Sequence, residues 1–200
     1  MKLYYATGAC SLASHITLFE LGLPFEAVAV SLRRKTTRDG VDFSTINPKG
    51  YVPALVLDDG QVLTEGTAVL QYLADLRPEL GLAPANGTLA RYRLQEWLGF
   101  INSELHKPFG PLFDPKAPDA AKERARAACV LRLTYLDGVL KGPYLMGEAF
   151  TVADAYLYTV LSWAGHVGID LDAWPAVKAY FARLARRPTI QAAHEAEHAR

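Results

Sequence analysis

The hydrophobic period of this chain switches repeatedly over its first 80 residues and then settles into a helical repeat, which narrows the possible folds more than any other feature. Residues 2–6 are a short apolar run carrying two tyrosines, a predicted strand. Residues 11–23 place Leu12, Ile16, Phe19 and Leu23 at helical spacing and stop at Gly22 and Pro24. Residues 25–30 alternate and are rich in valine, a second strand, and the polar, basic stretch 33–42 reads as a loop or short helix. Residues 51–57 and 61–64 flank Asp58-Asp59-Gly60, a hairpin signal, and residues 67–76 put Ala68, Val69, Tyr72, Leu73 and Leu76 on one helical face. The predicted order is β-α-β-(α)-β-β-α, a parallel βαβ half joined to an antiparallel hairpin, which is the thioredoxin-type pattern.

Pro78, Gly81, Pro84 and Gly87 then punctuate a loop, and no strand signal of any length follows. Candidate helices cover 89–113, 119–140, 152–164 and 173–186, with a short one after Pro188. Asp119 is a predicted N-cap, and Thr151-Val152-Ala153-Asp154 fits a capping box. The expected organisation is an α/β domain over residues 1–80 and an all-helical domain over 86–200.

Charge excludes some functions. Lys+Arg 21 against Asp+Glu 21 leaves no basic excess, so a phosphate-tracking, nucleic-acid-binding surface is not expected. Half the residues are hydrophobic, which excludes a disordered chain. The longest uncharged apolar stretch, 155–169, falls short of the roughly 20 residues needed to span a bilayer. Thr7, Gly8 and Ser11 break the N-terminal apolar run too early for a signal peptide. Two distant cysteines, Cys10 and Cys129, make no disulfide scaffold, so a reducing cytoplasm is expected.

Four segments could carry chemistry. Cys10 falls where the first strand gives way to a helix, and the unpaired N–H groups of a helix start favour a thiolate; the alternative is a buried small hydrophobe. Ser11-Leu12-Ala13 follows, so there is no Cys-x-x-Cys pair for dithiol exchange. Val52-Pro53 begins a strand with a residue that cannot donate a ladder bond, so Pro53 sits at an edge or holds a cis bond. Around Glu65-Gly66-Thr67, backbone N–H groups could meet an anion and Glu65 an ammonium, which together suit a zwitterionic amino-acid head; plain helix capping is the alternative. On the 89–113 helix, Leu94, Trp97, Leu98, Ile101 and Leu105 share a core face, while Gly99, Asn102, Ser103 and His106 form a polar stripe that could border a cleft. Lys107-Pro108 should bend that helix. His15 reads as structural, and His166, His194 and His198 lack ligand spacing, so no metal is expected.

Leu3-Tyr4-Tyr5…Cys10-Ser11, Asn47-Pro48-x-Gly50-x-Val52-Pro53, Leu63-Thr64-Glu65 and Phe150-Thr151-Val152-Ala153-Asp154, in this order and over essentially the whole length, resemble the cytosolic glutathione S-transferases. Cys10 with Lys35 and His106 is similar to the bacterial beta class in particular. The resemblance implies a thioredoxin-like domain with an all-helical domain, assembled as a cytoplasmic homodimer that conjugates the co-substrate glutathione to hydrophobic electrophiles in detoxification. It implies a cis Pro53, with the Val52 backbone pairing the cysteinyl part of glutathione. Glu65 and Gly66 would hold the γ-glutamyl head, and Lys35 the glycyl carboxylate. Cys10, Ser11 and His106 would lie near the glutathione sulfur, and Ser103 and Glu104 would reach glutathione across the dimer interface. Gly66 stands where the family usually has a hydroxyl, leaving only its N–H, and Gly99 replaces a common Asn.

Lowering the pKa of a thiol from about 8.5 by two units takes about 2.7 kcal/mol. A helix N-terminus supplies about 0.3–1 kcal/mol, up to ~2 when partly buried, so further donors are expected from His106, the Cys10 S–H or the Ser11 hydroxyl. Tyr5, Leu112, Phe113, Trp163 and His166 would flank the electrophile pocket between the domains, with core packing the favoured alternative for Tyr5 because it lies inside its strand. Rival readings are a glutathione-dependent thiol–disulfide reductase or peroxidase using Cys10, and a non-catalytic carrier of hydrophobic ligands.

Overall fold

In the computed structural model, residues 1–199 are described. The apolar run at the start becomes β1 (Lys2–Tyr5), and after α1 (Leu12–Leu21) the valine-rich stretch forms β2 (Glu26–Ser31), parallel to β1 with Leu3 beside Ala27. The basic stretch resolves into turns and a two-residue strand, β3 (Thr36–Thr37), antiparallel to β2. The hairpin is β4 (Ala54–Val56) and β5 (Val62–Thr64), followed by α2 (Gly66–Leu76). β4 runs antiparallel to β1, with Leu3 opposite Leu55, and the sheet order is β3-β2-β1-β4-β5. This is the predicted thioredoxin-like arrangement.

Alternation along β1 buries both faces of the sheet. Tyr4 packs on Phe43 with ring centroids 5.7 Å apart, in a cluster with Val30, Val52 and Ala54. Tyr5, on the opposite face, meets the ring of His15 on α1 at 5.2 Å. Gly22 closes α1 in the left-handed region that glycine adopts without a Cβ clash, its N–H bonded to Phe19 O.

The chain divides by internal contacts into two compact units, one of Met1–Ala83 with Arg186–Arg200, the other of Pro84–Ala185. The expected boundary near residue 80 is close, but the tail does not follow the helical unit. α7 (Pro175–Leu184) ends that unit, and α8 (Pro188–His198) packs on α1 in the first unit. The helical domain expected over 86–200 therefore loses its last segment. Ile190 and Ala193 are fully buried there, so a short helix with a small apolar face finds its cover against α1.

Within the helical unit the long predicted helix has three parts. α3 (Leu89–Phe100) starts at Thr88, whose hydroxyl accepts the Arg91 N–H. It continues through a π-helical stretch, Ile101–His106, into α4 (Lys107–Phe113). Pro108 has no N–H to give the carbonyl four residues back, so the ladder must widen at that point. Leu94, Leu98, Ile101 and Leu105 are buried as predicted. Trp97 is not with them: it stands half-buried in an outward cluster with Phe100 and Tyr135. α5 (Asp119–Val139) takes Pro118 as its N-cap, with Asp119 as the first helical residue rather than the cap. α6 (Val152–Leu161) is buried at every position. Its capping box is present, and the Asp154 carboxylate also accepts from Leu145 N–H and Tyr180 OH, both at 2.8 Å. That network is why a buried carboxylate is tolerated.

Candidate functional site

Topology brings the chemistry-bearing segments of the first unit to one end of its sheet. The C-terminal end of β1, the N-terminal end of the antiparallel β4 and the C-terminal end of β5 meet in the register Tyr4–Ala54–Thr64. The loops at that end carry Cys10, Val52-Pro53 and Glu65.

The Val52–Pro53 peptide is cis. Pro53 precedes β4, which has neighbours on both sides, so of the two sequence alternatives it is the cis bond and not a sheet edge. The approach is held by Asn47, which is 3 % exposed. Its Nδ2 donates to Tyr51 O at 2.7 Å, its Oδ1 accepts Lys49 N–H, and its carbonyl accepts Gly50 N–H. Asn47 is thus the internal tie of the turn. Gly50 sits at φ +68°, where a side chain is strained.

Cys10 precedes α1 and donates its S–H to Val52 O at 3.2 Å. Burial pushes its thiol up to about 11, against the lowering contributed by the backbone N–H groups of residues 10 and 11, and the nearby Glu65 carboxylate pushes the same way. The helix start therefore fails to produce the expected thiolate: desolvation outweighs it, and Cys10 is a neutral thiol. Ser11 is fully buried and committed to Ala6, accepting its N–H at 3.1 Å and donating to its carbonyl at 3.3 Å. Its hydroxyl ties the turn.

Glu65 adopts φ +70°, a costly conformation for a side chain with a Cβ and one that clusters at functional sites. It leads into α2 ahead of the first intrahelical bonds, in which Ala68 and Val69 donate to Glu65 O, so the N–H groups of Gly66 and Thr67 precede the helical ladder. The Glu65 carboxylate is exposed and pairs with Lys49 Nζ at 2.6 Å. Lys35, the other non-glycine residue at positive φ, donates its ammonium to Gly50 O at 2.8 Å and lies over the Tyr51 ring.

The helical unit holds a second cluster. His106 Nδ1 lies 2.7 Å from Tyr156 OH, which donates to Asn102 Oδ1 at 3.0 Å. Trp163 packs edge-on to His106 at 4.8 Å, and Phe109 and Phe113 complete the wall against Trp163. Burial, then the neighbouring Lys107 charge, pulls His106 down to about 4, so the imidazole is neutral at pH 7. Leu112 is half-buried and Phe113 is 49 % exposed, and His166 stands exposed in the short turn that follows Trp163. Ser103 donates to Gly99 O, and Glu104 pairs with Arg132 at 2.5 Å, so both side chains have partners within the chain. Tyr5 is 7 % exposed against His15, in keeping with core packing.

Sequence reasoning missed Tyr156, because it sits 50 residues from His106 on a helix buried all round. It also missed Glu197, whose side chain is buried within hydrogen-bonding distance of the turn before Cys10. Among the described residues no cluster of His, Cys, Asp and Glu could hold a metal ion, and no helix is long and apolar enough to cross a membrane.

Two family models match the chain. The glutathione S-transferase N-terminal domain matches residues 7–76 and the C-terminal domain matches residues 100–188. The glutathione S-transferase GstA of Escherichia coli O157:H7 is 48% identical over 98% of both chains. A sphingomonad glutathione S-transferase solved in complex with glutathione is 51% identical, with a TM-score of 0.95 over 98% of each chain. A bacterial beta-class enzyme from Sphingomonas chungbukensis is 49% identical, with a TM-score of 0.96 over 99% of each. With both family domains matched in order and close identity over nearly its whole length, the chain belongs to the glutathione S-transferase family.

Proposed function

We propose that the protein is a glutathione transferase that activates the glutathione thiol for attack on hydrophobic electrophiles, with a neutral Cys10 acting as a hydrogen-bond donor. The observation that carries this reading is the Cys10 S–H bonded to Val52 O. A cysteinyl N–H of glutathione paired to that same carbonyl would displace the thiol, and the freed S–H could then donate to the glutathione sulfur. A donor to a developing thiolate lowers the cost of ionising it. Glu65 would hold the γ-glutamyl ammonium, the N–H groups of Gly66 and Thr67 its carboxylate, and Lys35 the glycyl carboxylate. These placements suit the strained backbone at residues 35 and 65.

His106 would stand near the sulfur, and Leu112, Phe113 and Trp163 would offer the acceptor an apolar wall. Such a wall selects by shape, so a range of hydrophobic electrophiles is expected. Dimerisation is supported by an exposed apolar stripe on α5, Leu131, Tyr135 and Val139, and by Leu89 and Tyr92 on α3. Both cysteines being free thiols suits a reducing cytoplasm and a role in detoxification there. A thiol held up at about 11 is a poor resting nucleophile, which favours conjugation over thiol–disulfide exchange.

The test is direct. The purified protein should bind glutathione-agarose and conjugate a chloronitrobenzene-type acceptor. A Cys10→Ala variant should keep binding glutathione and lose about tenfold in kcat, the size of one lost hydrogen bond. Absence of both binding and conjugation in the wild type would sink the reading. Conjugation abolished by Cys10→Ala, together with a glutathione adduct on the wild-type thiol, would shift it to exchange chemistry.

A further inference from the structure

Tyr156 is 3 % exposed, yet its hydroxyl serves two side chains on another element. It lies 2.7 Å from His106 Nδ1 and donates to Asn102 Oδ1 at 3.0 Å. Asn102 and His106 both belong to the π-helical stretch Ile101–His106, whose i→i+5 ladder sets positions four apart within one turn. One buried oxygen on α6 therefore reaches both. Single-turn π segments of this kind are frequent at functional sites.

The hydroxyl has one proton, and that decides the state of the histidine. An amide oxygen only accepts, so the tyrosine proton goes to Asn102 Oδ1. The tyrosine oxygen is left as an acceptor, and its contact with Nδ1 is a hydrogen bond only if Nδ1 carries the ring proton. Were Nδ1 bare, two lone pairs would face each other at 2.7 Å. A neutral imidazole holds one proton, so Nε2 is the bare nitrogen. This is the tautomer that a free histidine side chain disfavours in water, and the chain of three groups imposes it.

The ring is half-buried, makes no other hydrogen bond among the described residues, and has Trp163 packed edge-on against it at 4.8 Å. Burial, with the Lys107 charge, holds its pKa at about 4, so the neutral form, in which the tautomer matters, is the one present at pH 7.

We propose that Tyr156 and Asn102 are positioning residues for His106: they hold its proton on Nδ1 so that Nε2 meets the glutathione thiol as a proton acceptor. The functional part rests on the reading that glutathione binds with its sulfur beside His106. The tautomer does not, and the test separates them. In the step that follows, a sulfur electron pair forms the bond to the electrophile, whose displaced pair departs with the leaving group. The S–H proton goes to Nε2 and from there to water. A base this weak takes the proton only as the new bond forms, and returns it readily. Cys10 and His106 then act on the sulfur in opposite senses, one giving a hydrogen bond and the other receiving the proton.

The ring state is read from the nitrogen-15 chemical shifts of full-length protein labelled at histidine, near pH 7, with His106→Gln assigning the signals. Wild type should show a protonated Nδ1 and a bare Nε2. Asn102→Leu removes the acceptor, frees the tyrosine proton for Nδ1 and should move the ring proton to Nε2. Its kcat with a chloronitrobenzene-type acceptor should fall at least about tenfold, with the KM for glutathione within about twofold of wild type. Tyr156→Phe imposes neither tautomer and should lose only severalfold, although it alters the buried partner and Asn102→Leu the exposed one. The double variant should return to the Tyr156→Phe level, faster than Asn102→Leu alone. A merely structural network gives the opposite order, with the buried change the worse and the double variant the worst, and that result overturns the proposal. So does a wild type protonated at Nε2, in which the Asn102 amide would stand reversed. So does an Asn102→Leu protein whose ring proton stays on Nδ1, or moves without a change in kcat; Asn102→Ala decides the matter if the leucine impairs folding. Wild-type protein that ignores glutathione while the shifts behave as expected would remove the glutathione reading and leave the tautomer assignment standing.

Discussion

Cys10 and His106 are the two candidate catalytic groups, one in each unit, and burial treats them oppositely in number but alike in charge. The thiol is driven up to about 11 and the imidazole down to about 4, so both are neutral at pH 7. The surroundings differ in kind. Cys10 is bonded to a backbone carbonyl in a setting made of turns, a cis peptide and residues at positive φ. His106 is held by side chains, Tyr156 and Trp163, from distant helix positions. On the proposed reading, the first unit would recognise with its backbone and the helical unit would shape space with rings. The contrast also shows that burial governs both groups, even where a helix start argues for a charge.

The largest effect that could break this comparison is on stability against pH. His106 has a folded pKa below its ordinary 6.5, so its contribution is present above pH 6.5 and is lost as pH falls through about 4. Cys10 is the mirror case: its contribution is complete below pH 9 and is lost as pH rises through about 11. Each limb is on the order of 3 kcal/mol at one pKa unit per 1.36 kcal/mol. Unfolding free energies from urea titrations of wild type and His106→Leu should converge by about that amount between pH 7 and pH 4, and those of wild type and Cys10→Ala between pH 9 and pH 11. Parallel curves would mean that the two groups are not desolvated as described.

Next in size is Glu65→Ala. Losing a charge-assisted bond to an ammonium costs about 1.5–3 kcal/mol, so the KM for glutathione should rise about 10- to 100-fold with kcat changed much less. A fall in kcat at unchanged KM would assign Glu65 to the chemical step and blur the division between recognising and shaping.

Smaller again is Tyr156→Phe, which removes the hydroxyl shared by His106 and Asn102. Stripping a partner from buried polar groups costs about 1–3 kcal/mol. Thermal stability should drop correspondingly and kcat severalfold, while glutathione affinity, read by calorimetry, stays put. A loss of glutathione binding would show that the helical unit also recognises.

How much of this was legible in the sequence follows from what holds each part. The β-α-β and hairpin order could be read because alternation, valine content and Asp-Gly turns act locally. The Asn47-to-Pro53 turn could be read as a motif, since the side chain and carbonyl of Asn47 bond to residues 49–51, close by in sequence. The state of Cys10 could not: a helix start is visible in sequence, but the desolvation that overrides it depends on packing. Trp97 misled for a related reason. Its spacing matched the core face, yet α3 turns that position outward beside Tyr135 of α5. Tyr156 and Glu197 lie 50 and 182 residues from the histidines they hold, and no periodicity links such pairs. The tail after Pro188 read as one more helix of the second domain because composition records helix propensity and says nothing of which surface the helix covers.

The smallest effect concerns Lys49, whose ammonium lies 2.6 Å from Glu65 Oε1 and 3.1 Å from the Thr64 hydroxyl. Lys49 occupies in advance the carboxylate that an incoming α-ammonium would need, much as the Cys10 S–H occupies the Val52 carbonyl. The two cases differ in environment. Lys49 and Glu65 are 53% and 67% exposed, so water and salt screen the pair, and such pairs contribute about 0.2–1 kcal/mol. A ligand that displaces it gives up only that much. Lys49→Met should therefore tighten glutathione binding by no more than about fivefold, and the gain should shrink as ionic strength rises and the pair it removes weakens of itself. Unchanged binding at low salt would show that Lys49 swings clear at no cost. Weaker binding would reverse the assignment and make Lys49 a second cation that helps to hold the peptide.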